Sequence, residues 1–317
     1  MSQSLAFKNV IEIASKVAAH NIPVLIEGEL GSGKEWLARS IHFASPRANG
    51  EFVVVDCADG VDPFLECELF GYVRGSFTGA LHEKKGLLEA ACGGTLFLDH
   101  VSKISLSFQG KLLRLMNEGI FYKIGGVSEE KADVRVIAAT AQDLKSLVSK
   151  GKFREDLYYQ LSVMRLTIPP LRERREDVLL LADFFLDAIA KREGAQKKEL
   201  TQEARAALLS YHWPANISEL EKEIERSVVL AGTATKISPR FFSPHILHRR
   251  RSVDNLPSGS IASGSLKEQK RAMIMELEKN AIRGALRKTA GNRTHAAELL
   301  SISRQELLRK ISAYRIK

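Results

Sequence analysis

The 317-residue sequence predicts an α/β fold: a parallel sheet flanked by helices, then an all-α domain, then a basic three-helix domain. Three observations carry that reading. Four apolar runs, Val24-Leu25-Ile26, Phe52-Val53-Val54-Val55, Thr95-Leu96-Phe97-Leu98 and Val134-Arg135-Val136-Ile137-Ala138-Ala139, alternate with amphipathic helical stretches. Continuous apolar strands separated by helices mark a parallel sheet covered on both faces. Beyond Pro169-Pro170 only helical periodicity remains, as in Val178 to Ile189 and Gln202 to Leu209. Charge is also segregated. Residues 1–248 hold 31 Lys+Arg and 32 Asp+Glu, a net of −1, whereas residues 249–317 hold 16 and 6, a net of +10.

These features divide the chain into an α/β domain over 1–170, a helical domain over 171–245, a linker over 246–266 and a helical domain over 267–317. The linker contains Arg249-Arg250-Arg251 and a Gly/Ser/Pro-rich stretch, the composition of a flexible tether. A near-neutral body with a basic tail reads as a machine tethered to a polyanion, and a merely solubilising tail is the alternative. No stretch approaches the roughly 20 apolar residues of a membrane helix, and the N-terminus lacks the regions of a signal peptide. Cys57, Cys67 and Cys92 are odd in number and lack metal-ligand spacing, so buried thiols in a reducing cytoplasm are expected.

The first strand runs into Gly28-Glu29-Leu30-Gly31-Ser32-Gly33-Lys34-Glu35, and a helix follows through Trp36, Leu37 and Ala38. This is GxxxxGK in its required strand–loop–helix context. Its backbone N–H groups turn onto phosphate oxygens, the helix N-terminus adds a favourable dipole, and Lys34 reaches the β/γ-phosphates. Glu35 stands where many such loops place Ser or Thr for Mg²⁺. The third strand ends in Asp99-His100, so Asp99 is expected to hold Mg²⁺ directly or through water.

Gly75-Ser76-Phe77-Thr78-Gly79-Ala80 resembles the GAFTGA loop of sigma-54-dependent transcription activators, bacterial enhancer-binding AAA+ proteins. Glu68-Leu69-Phe70-Gly71, Gly93 to Asp99, Lys111 to Arg114, Phe153 to Tyr159 and Pro170 to Arg174 resemble the same family in order. The resemblance runs over residues 8–245 and again over 278–317. It implies a P-loop AAA+ ATPase with a helical lid, usually assembled as a hexameric ring, that uses ATP to remodel sigma-54 RNA polymerase through the Phe77–Thr78 loop. Glycines at both ends would let the loop fold down or project, while Phe77 offers an apolar contact and Thr78 a hydrogen bond.

The departures from the family pattern gather around the phosphate chemistry. Asp-Glu of the family is Asp99-His100, which removes the carboxylate that would activate water. Ala-Thr-Asn is Ala139-Thr140-Ala141. Of two expected arginines, Arg154 stands and the other is Gln160. The lid motif is Trp213-Pro214-Ala215-Asn216-Ile217-Ser218-Glu219-Leu220, with Ser218 in place of the sensor arginine. A finger arginine across a subunit boundary is worth roughly 10³–10⁵ in rate in other nucleotidases. The expectation is nucleotide binding with slow or no hydrolysis. In a competing reading, Asp56, where the family has Asn, orients His100 as a replacement base.

At the C-terminus, Ile282, Leu286, Ala296, Leu299, Leu300, Ile302, Leu307, Leu308 and Ile311 fit three short helices, with Ser303 capping the last. The pattern resembles the Fis-type helix-turn-helix, although Ser301 stands where the family usually has Gly. Arg304, Gln305, Arg309 and Lys310 would then face the major groove, with Arg293, Thr294, Arg287 and Lys288 near the DNA. A dimer on a palindromic upstream site is what the family implies. Two functions follow. One is a DNA-bound sigma-54 activator. The other is a nucleotide-binding regulator, a repressor or mixed-ring partner, that does not remodel polymerase. No receiver or GAF domain precedes residue 8, so control is expected from a partner, from expression level or from a further domain.

Overall fold

The apolar runs form the strands of a parallel sheet in a computed structural model, which describes residues 3–58, 62–247, 275, 278–279, 282–286, 289, 292–300 and 302–314. In chain order, α1 spans Leu5–Ala18, β1 Val24–Glu27, α2 Lys34–Phe43, β2 Phe52–Asp56, α3 Asp62–Phe70 and α4 Leu87–Ala90. Then come β3 Thr95–Asp99, α5 Leu106–Glu118, β4 Ile120–Phe121, β5 Glu130–Lys131, β6 Arg135–Thr140, α6 Leu144–Ser149, α7 Glu155–Leu161 and β7 Met164–Thr167. The five-stranded sheet has the order β2-β3-β6-β1-β7, and every pairing in it is parallel.

The two-residue side-chain period of a strand sorts the core into two layers. Leu25, Leu96, Leu98 and Ala138 pack with α3, α5 and α7. Val24, Ile26, Phe97, Ile137 and Ala139 pack with α1 and α2. The edge strand β2 differs from expectation: Val54 is exposed, because an outer strand has a neighbour on one side only. Arg135, the one charge inside an apolar run, is buried and donates to Val17 O and Ala18 O, both at 3.0 Å. It thereby adds donors at the carbonyl end of α1, where Val17 O also accepts from His20 N at 3.1 Å.

Cys57 is buried as expected, but Cys67 is half-buried and Cys92 exposed, since Cys92 lies in the turn between α4 and β3. The short antiparallel β4–β5 pair carried no sequence signal.

The following domain is built on α8 Glu176–Glu193, α9 Gln202–Ser210 and α10 Asn216–Ala231. It adds a two-residue parallel ladder between β8 Glu199–Leu200 and β9 Lys236–Ile237. Trp213 is fully buried at its centre and donates from Nε1 to Leu208 O at 2.9 Å. The helix α11, Pro244–Leu247, buries Ile246 against this core, so the packed domain continues past the expected boundary at 245.

The chain divides into two compact units, Met1–Arg249 and Arg250–Lys317. In the second, helices Arg293–Leu299 and Arg304–Ala313 and a helical stretch over 282–286 enclose Ile282, Ala285, Ala296, Ala297 and Leu307. Asn292 and Ser303 cap the two helices by accepting from Thr294 N and Glu306 N, both at 3.1 Å. The 249–251 arginines, most of the 246–266 linker, Arg287, Lys288 and Ser301 lie outside the described residues.

Candidate functional site

Strand register builds the site. Glu27 pairs with Thr140 and Asp56 with Asp99, so the C-terminal ends of β1, β2, β3 and β6 share one rim of the sheet. The Gly28–Glu35 loop leaves β1 at that rim, with Gly28 N donating to Thr140 O at 3.1 Å. Gly31 and Gly33 have φ of +70° and +98°, a left-handed conformation that suits glycine and turns successive N–H groups to one side. Lys34 opens α2 and is buried. Its Nζ donates to Gly28 O at 3.1 Å and Glu29 O at 3.0 Å. Burial pushes its pKa down, and Asp99 opposes that shift. A buried ammonium with only carbonyl partners is a ready anion site.

The helical domain clamps the loop from the other side. Arg172 binds both oxygens of Glu29, at 2.8 and 2.7 Å, and holds that carboxyl below its usual range. Asn216 is fully buried with φ of 54°, and donates to Glu29 Oε2 at 3.2 Å and Leu30 O at 3.0 Å. It also accepts from Leu171 N at 2.7 Å. Ile217 N donates to Gly31 O at 2.9 Å, and Arg174 donates to Ser32 O at 2.6 Å. None of these partners was anticipated except as part of a motif. They lie some 140 to 190 positions apart in the chain, so no local pattern pairs them.

Beside the loop opens a cavity of about 390 Å³, lined by Phe7, Trp36, Leu180, Phe184 and Ile217 as well as Ser32 and Arg174. Ser32 Oγ and Arg174 Nε are buried and have no hydrogen-bond partner among the described residues. A nucleotide fits this arrangement: phosphates on the loop N–H groups and Lys34, an apolar base in the adjoining cavity, and two orphaned donors facing it. Magnesium fits in a narrower sense. Of the rim carboxylates, Glu27 is paired with Arg165 and Asp56 with His100, which leaves Asp99 for a cation, and no group of three His, Cys, Asp or Glu side chains among the described residues would hold a metal. One carboxylate plus substrate phosphates is a common Mg²⁺ set. Glu35 turns away from it, paired with Arg39 at 2.7 Å.

The altered positions have definite places. His100 has a left-handed φ of 53°, and its N–H donates to Asp99 Oδ1 at 2.8 Å. Its Nδ1 lies 2.9 Å from Asp56 Oδ1, which assigns the proton to Nδ1 and leaves Nε2 as the acceptor. Thr140 is buried, with its hydroxyl engaged by Gln142 N at 2.9 Å, while Ala141 is exposed and apolar. Ser218 abuts Gly31: a Cβ there would meet its Cβ and Oγ at 3.0 Å and Ala215 O at 2.3 Å. Arg154 is not brought to the loop; it is exposed and grips Asp156 at 2.7 and 3.1 Å.

The Gly75–Ala80 loop closes on itself, with Gly75 N donating to Ala80 O at 2.9 Å and Ala80 N to Phe77 O at 3.0 Å. Phe77 is 45% exposed and rests edge-on against Tyr72, with ring centroids 5.0 Å apart. Thr78 is exposed, and Ser76 packs against Gly125 with its Oγ buried.

In the second unit Arg304, Gln305 and Arg309 are exposed along one helix, and Arg293 and Thr294 are exposed at the start of another. Lys310 differs from expectation. It is half-buried, its Nζ donating to Glu278 at 2.7 Å.

Residues 1–167 match the family described as Sigma-54 interaction domain, 172–258 the AAA+ ATPase lid domain, and 274–314 the Bacterial regulatory protein, Fis family. The chain is similar to Regulatory protein AtoC of Escherichia coli, at 40% identity over all of this chain and 68% of that protein. It is 40% identical to Nitrogen fixation protein AnfA of Azotobacter vinelandii, of which it spans 57%. Among solved structures it resembles NtrX from Brucella abortus with a TM-score of 0.76 and 32% identity, covering all of this chain and 69% of that one. NtrX has also been solved in complex with ATP, at a TM-score of 0.73 and 32% identity over 99% of this chain and 68% of that one.

Proposed function

Since the chain belongs to the sigma-54 activator family, with an AAA+ lid and a Fis-type DNA-binding domain, we propose that it is a sigma-54-dependent regulator with impaired ATP hydrolysis. It binds ATP or ADP on the Gly28–Glu35 loop, Mg²⁺ through Asp99, and DNA through Arg293, Thr294, Ser303, Arg304, Gln305 and Arg309. It contacts sigma-54 polymerase through Gly75–Ala80. The observation that carries this reading is the contrast at the rim: the loop, buried Lys34 and Asp99 are in place, while His100, Ala141 and Ser218 occupy the positions from which water would be activated and the γ-phosphate sensed. On this reading Arg154, exposed and paired with Asp156, would serve a neighbouring subunit in a ring, and the helix-turn-helix a dimer on a palindromic site.

Mg²⁺ would screen the phosphate charge when bound. The chain's own groups do the rest: loop N–H donors fix the phosphates, Lys34 exchanges its carbonyl partners for phosphate oxygens, and the cavity beside Trp36 excludes water from the base. The test is parallel measurement of nucleotide binding, ATP turnover and sigma-54 open-complex formation on purified protein. Binding with turnover far below about 1 s⁻¹, the low end of ordinary enzyme rates, is expected, and ordinary turnover would refute the reading. Without open complexes, persisting DNA binding would favour a regulator that does not remodel polymerase.

The 2.9 Å contact of His100 Nδ1 with Asp56 favours a second reading, in which His100 Nε2 takes the proton of the attacking water and residual hydrolysis survives. A His100→Ala variant whose slow turnover is unchanged would exclude it.

A further inference from the structure

The same site poses a narrower question: how many phosphates does it read? We infer that it is a nucleoside diphosphate site, indifferent to the third phosphate, which binds ADP and ATP with equal affinity. This rests on the nucleotide-binding reading above and adds to it.

Two phosphates have obvious partners. The left-handed turns at Gly31 and Gly33, the N-terminus of the ten-residue α2 and the buried Lys34 supply donors and charge at one point. A third phosphate needs a further cation or donor beyond that point. Four arginines bear on the question, three around the loop and rim and Arg154 away from it, and each is already committed to the protein itself. Arg165 binds both oxygens of Glu27, at 3.1 and 2.8 Å. Arg172 binds both oxygens of Glu29. Arg174 is buried on Ser32 O beneath Phe7. Arg154 is held by Asp156.

Ser32 Oγ and Arg174 Nε, the loop-side donors without a partner among the described residues, line the cavity beside Trp36 and not the cleft on the other side of the loop. The uncharged groups on the cleft side are engaged. The Thr140 hydroxyl donates to Gln142 O at 3.0 Å, His100 Nδ1 is taken by Asp56, and Ala141 has no donor on its side chain. Ser218 sits against Gly31, where an arginine would have reached past the loop. The cleft on that side of the loop, about 280 Å³, is lined by Glu27, Glu29 and Asp143, with Arg165 as its one cation. Added negative charge there meets the Asp143 carboxylate and two carboxylate–guanidinium pairs, Glu27–Arg165 and Glu29–Arg172, that are already neutral. The site therefore rewards the second phosphate and not the third.

The experiment uses the full chain with Mg²⁺ and follows Trp36, which is 65% exposed at the mouth of the cavity, as the fluorescent reporter. ADP, a non-hydrolysable ATP analogue and AMP are titrated in turn. The expected result is ADP and analogue Kd values within about threefold, with AMP weaker by about a hundredfold; charge-assisted hydrogen bonds of the size Lys34 makes to a phosphate account for a loss of that order. An analogue more than tenfold tighter than ADP would overturn the inference and leave nucleotide binding intact. If neither ADP nor the analogue binds a chain that circular dichroism shows to be folded, both readings fall. Lys34→Ala must weaken ADP and the analogue together; loss of the analogue alone would show that Lys34 reads the third phosphate and would overturn the inference.

Discussion

Replacing Asn216 by alanine tests the clamp between the helical domain and the phosphate loop. The side chain is fully buried and makes three hydrogen bonds: from Leu171 N, to Leu30 O and to the carboxylate of Glu29. Neutral bonds are worth about 0.5–1.5 kcal/mol each and one to a charged group about 1.5–3 kcal/mol. Alanine would also have to hold the left-handed φ of 54°, a strain of about 1–2 kcal/mol. Together these predict a loss of about 3.5–8 kcal/mol. Asn216→Gly removes the same bonds without the strain, so it should be milder by about 1 kcal/mol. Urea unfolding followed by the fluorescence of Trp213, buried in the clamping domain, reads the effect. A loss below about 1 kcal/mol for alanine would refute the bonding argument, and equal losses for alanine and glycine would refute the strain.

Three further outcomes are expected. Arg309→Ala should reduce the salt dependence of DNA binding by about one unit of slope, whereas Lys310→Ala should lower the melting temperature of the C-terminal unit and leave the slope unchanged, since Lys310 is tied to Glu278; equal slopes for both variants would contradict the assignment. Phe77→Ala should abolish capture of sigma-54 in a pull-down without lowering thermal stability, because Phe77 is 45% exposed. Glu29 is held below its ordinary pKa of 4.5 by Arg172. Its contribution to stability is therefore present above pH 4.5 and fades as pH falls through the lower folded value. At a half-exposed pair it amounts to less than about 1 kcal/mol. The stability gap between the wild type and Glu29→Gln, measured against pH, should close in that window.

The parts of the site legible in the sequence are those whose chemistry is local. The glycine spacing around Lys34 announces a phosphate loop, and an apolar strand ending in Asp99 announces its partner, because strand, turn and helix are neighbours in the chain. The Asp56–His100 contact was accessible only through the family resemblance, whose Asn–Glu pair these two positions replace; the structure sets them 2.9 Å apart at the ends of adjacent parallel strands. The clamp of Arg172, Arg174 and Asn216 was not. Those contacts depend on how one domain closes on another, and nothing in the local periodicity encodes it. Lys310 carries a contact of the same non-local kind: on a basic helix it reads as a DNA contact, and the fold also gives it a carboxylate partner 32 positions away. The β4–β5 pair is two residues per strand, too short for any alternation to register.

The shallow placement of the altered positions, His100 and Ala141 at the sheet rim, Gln160 on α7 and Ser218 on α10, bears on how such a protein can change over generations. His100 and Gln160 are half-buried, and Ala141 and Ser218 are exposed, so none of them belongs to the packed interior. The strands that carry the rim keep their apolar bodies whatever stands at their ends. Chemistry and folding are thus under separate mutational control. On the proposed reading, turnover would lapse in a lineage while the scaffold, the loop and the C-terminal helices persist, and a handful of substitutions, among them His100→Glu, Ala141→Asn and Ser218→Arg, would be a short road back.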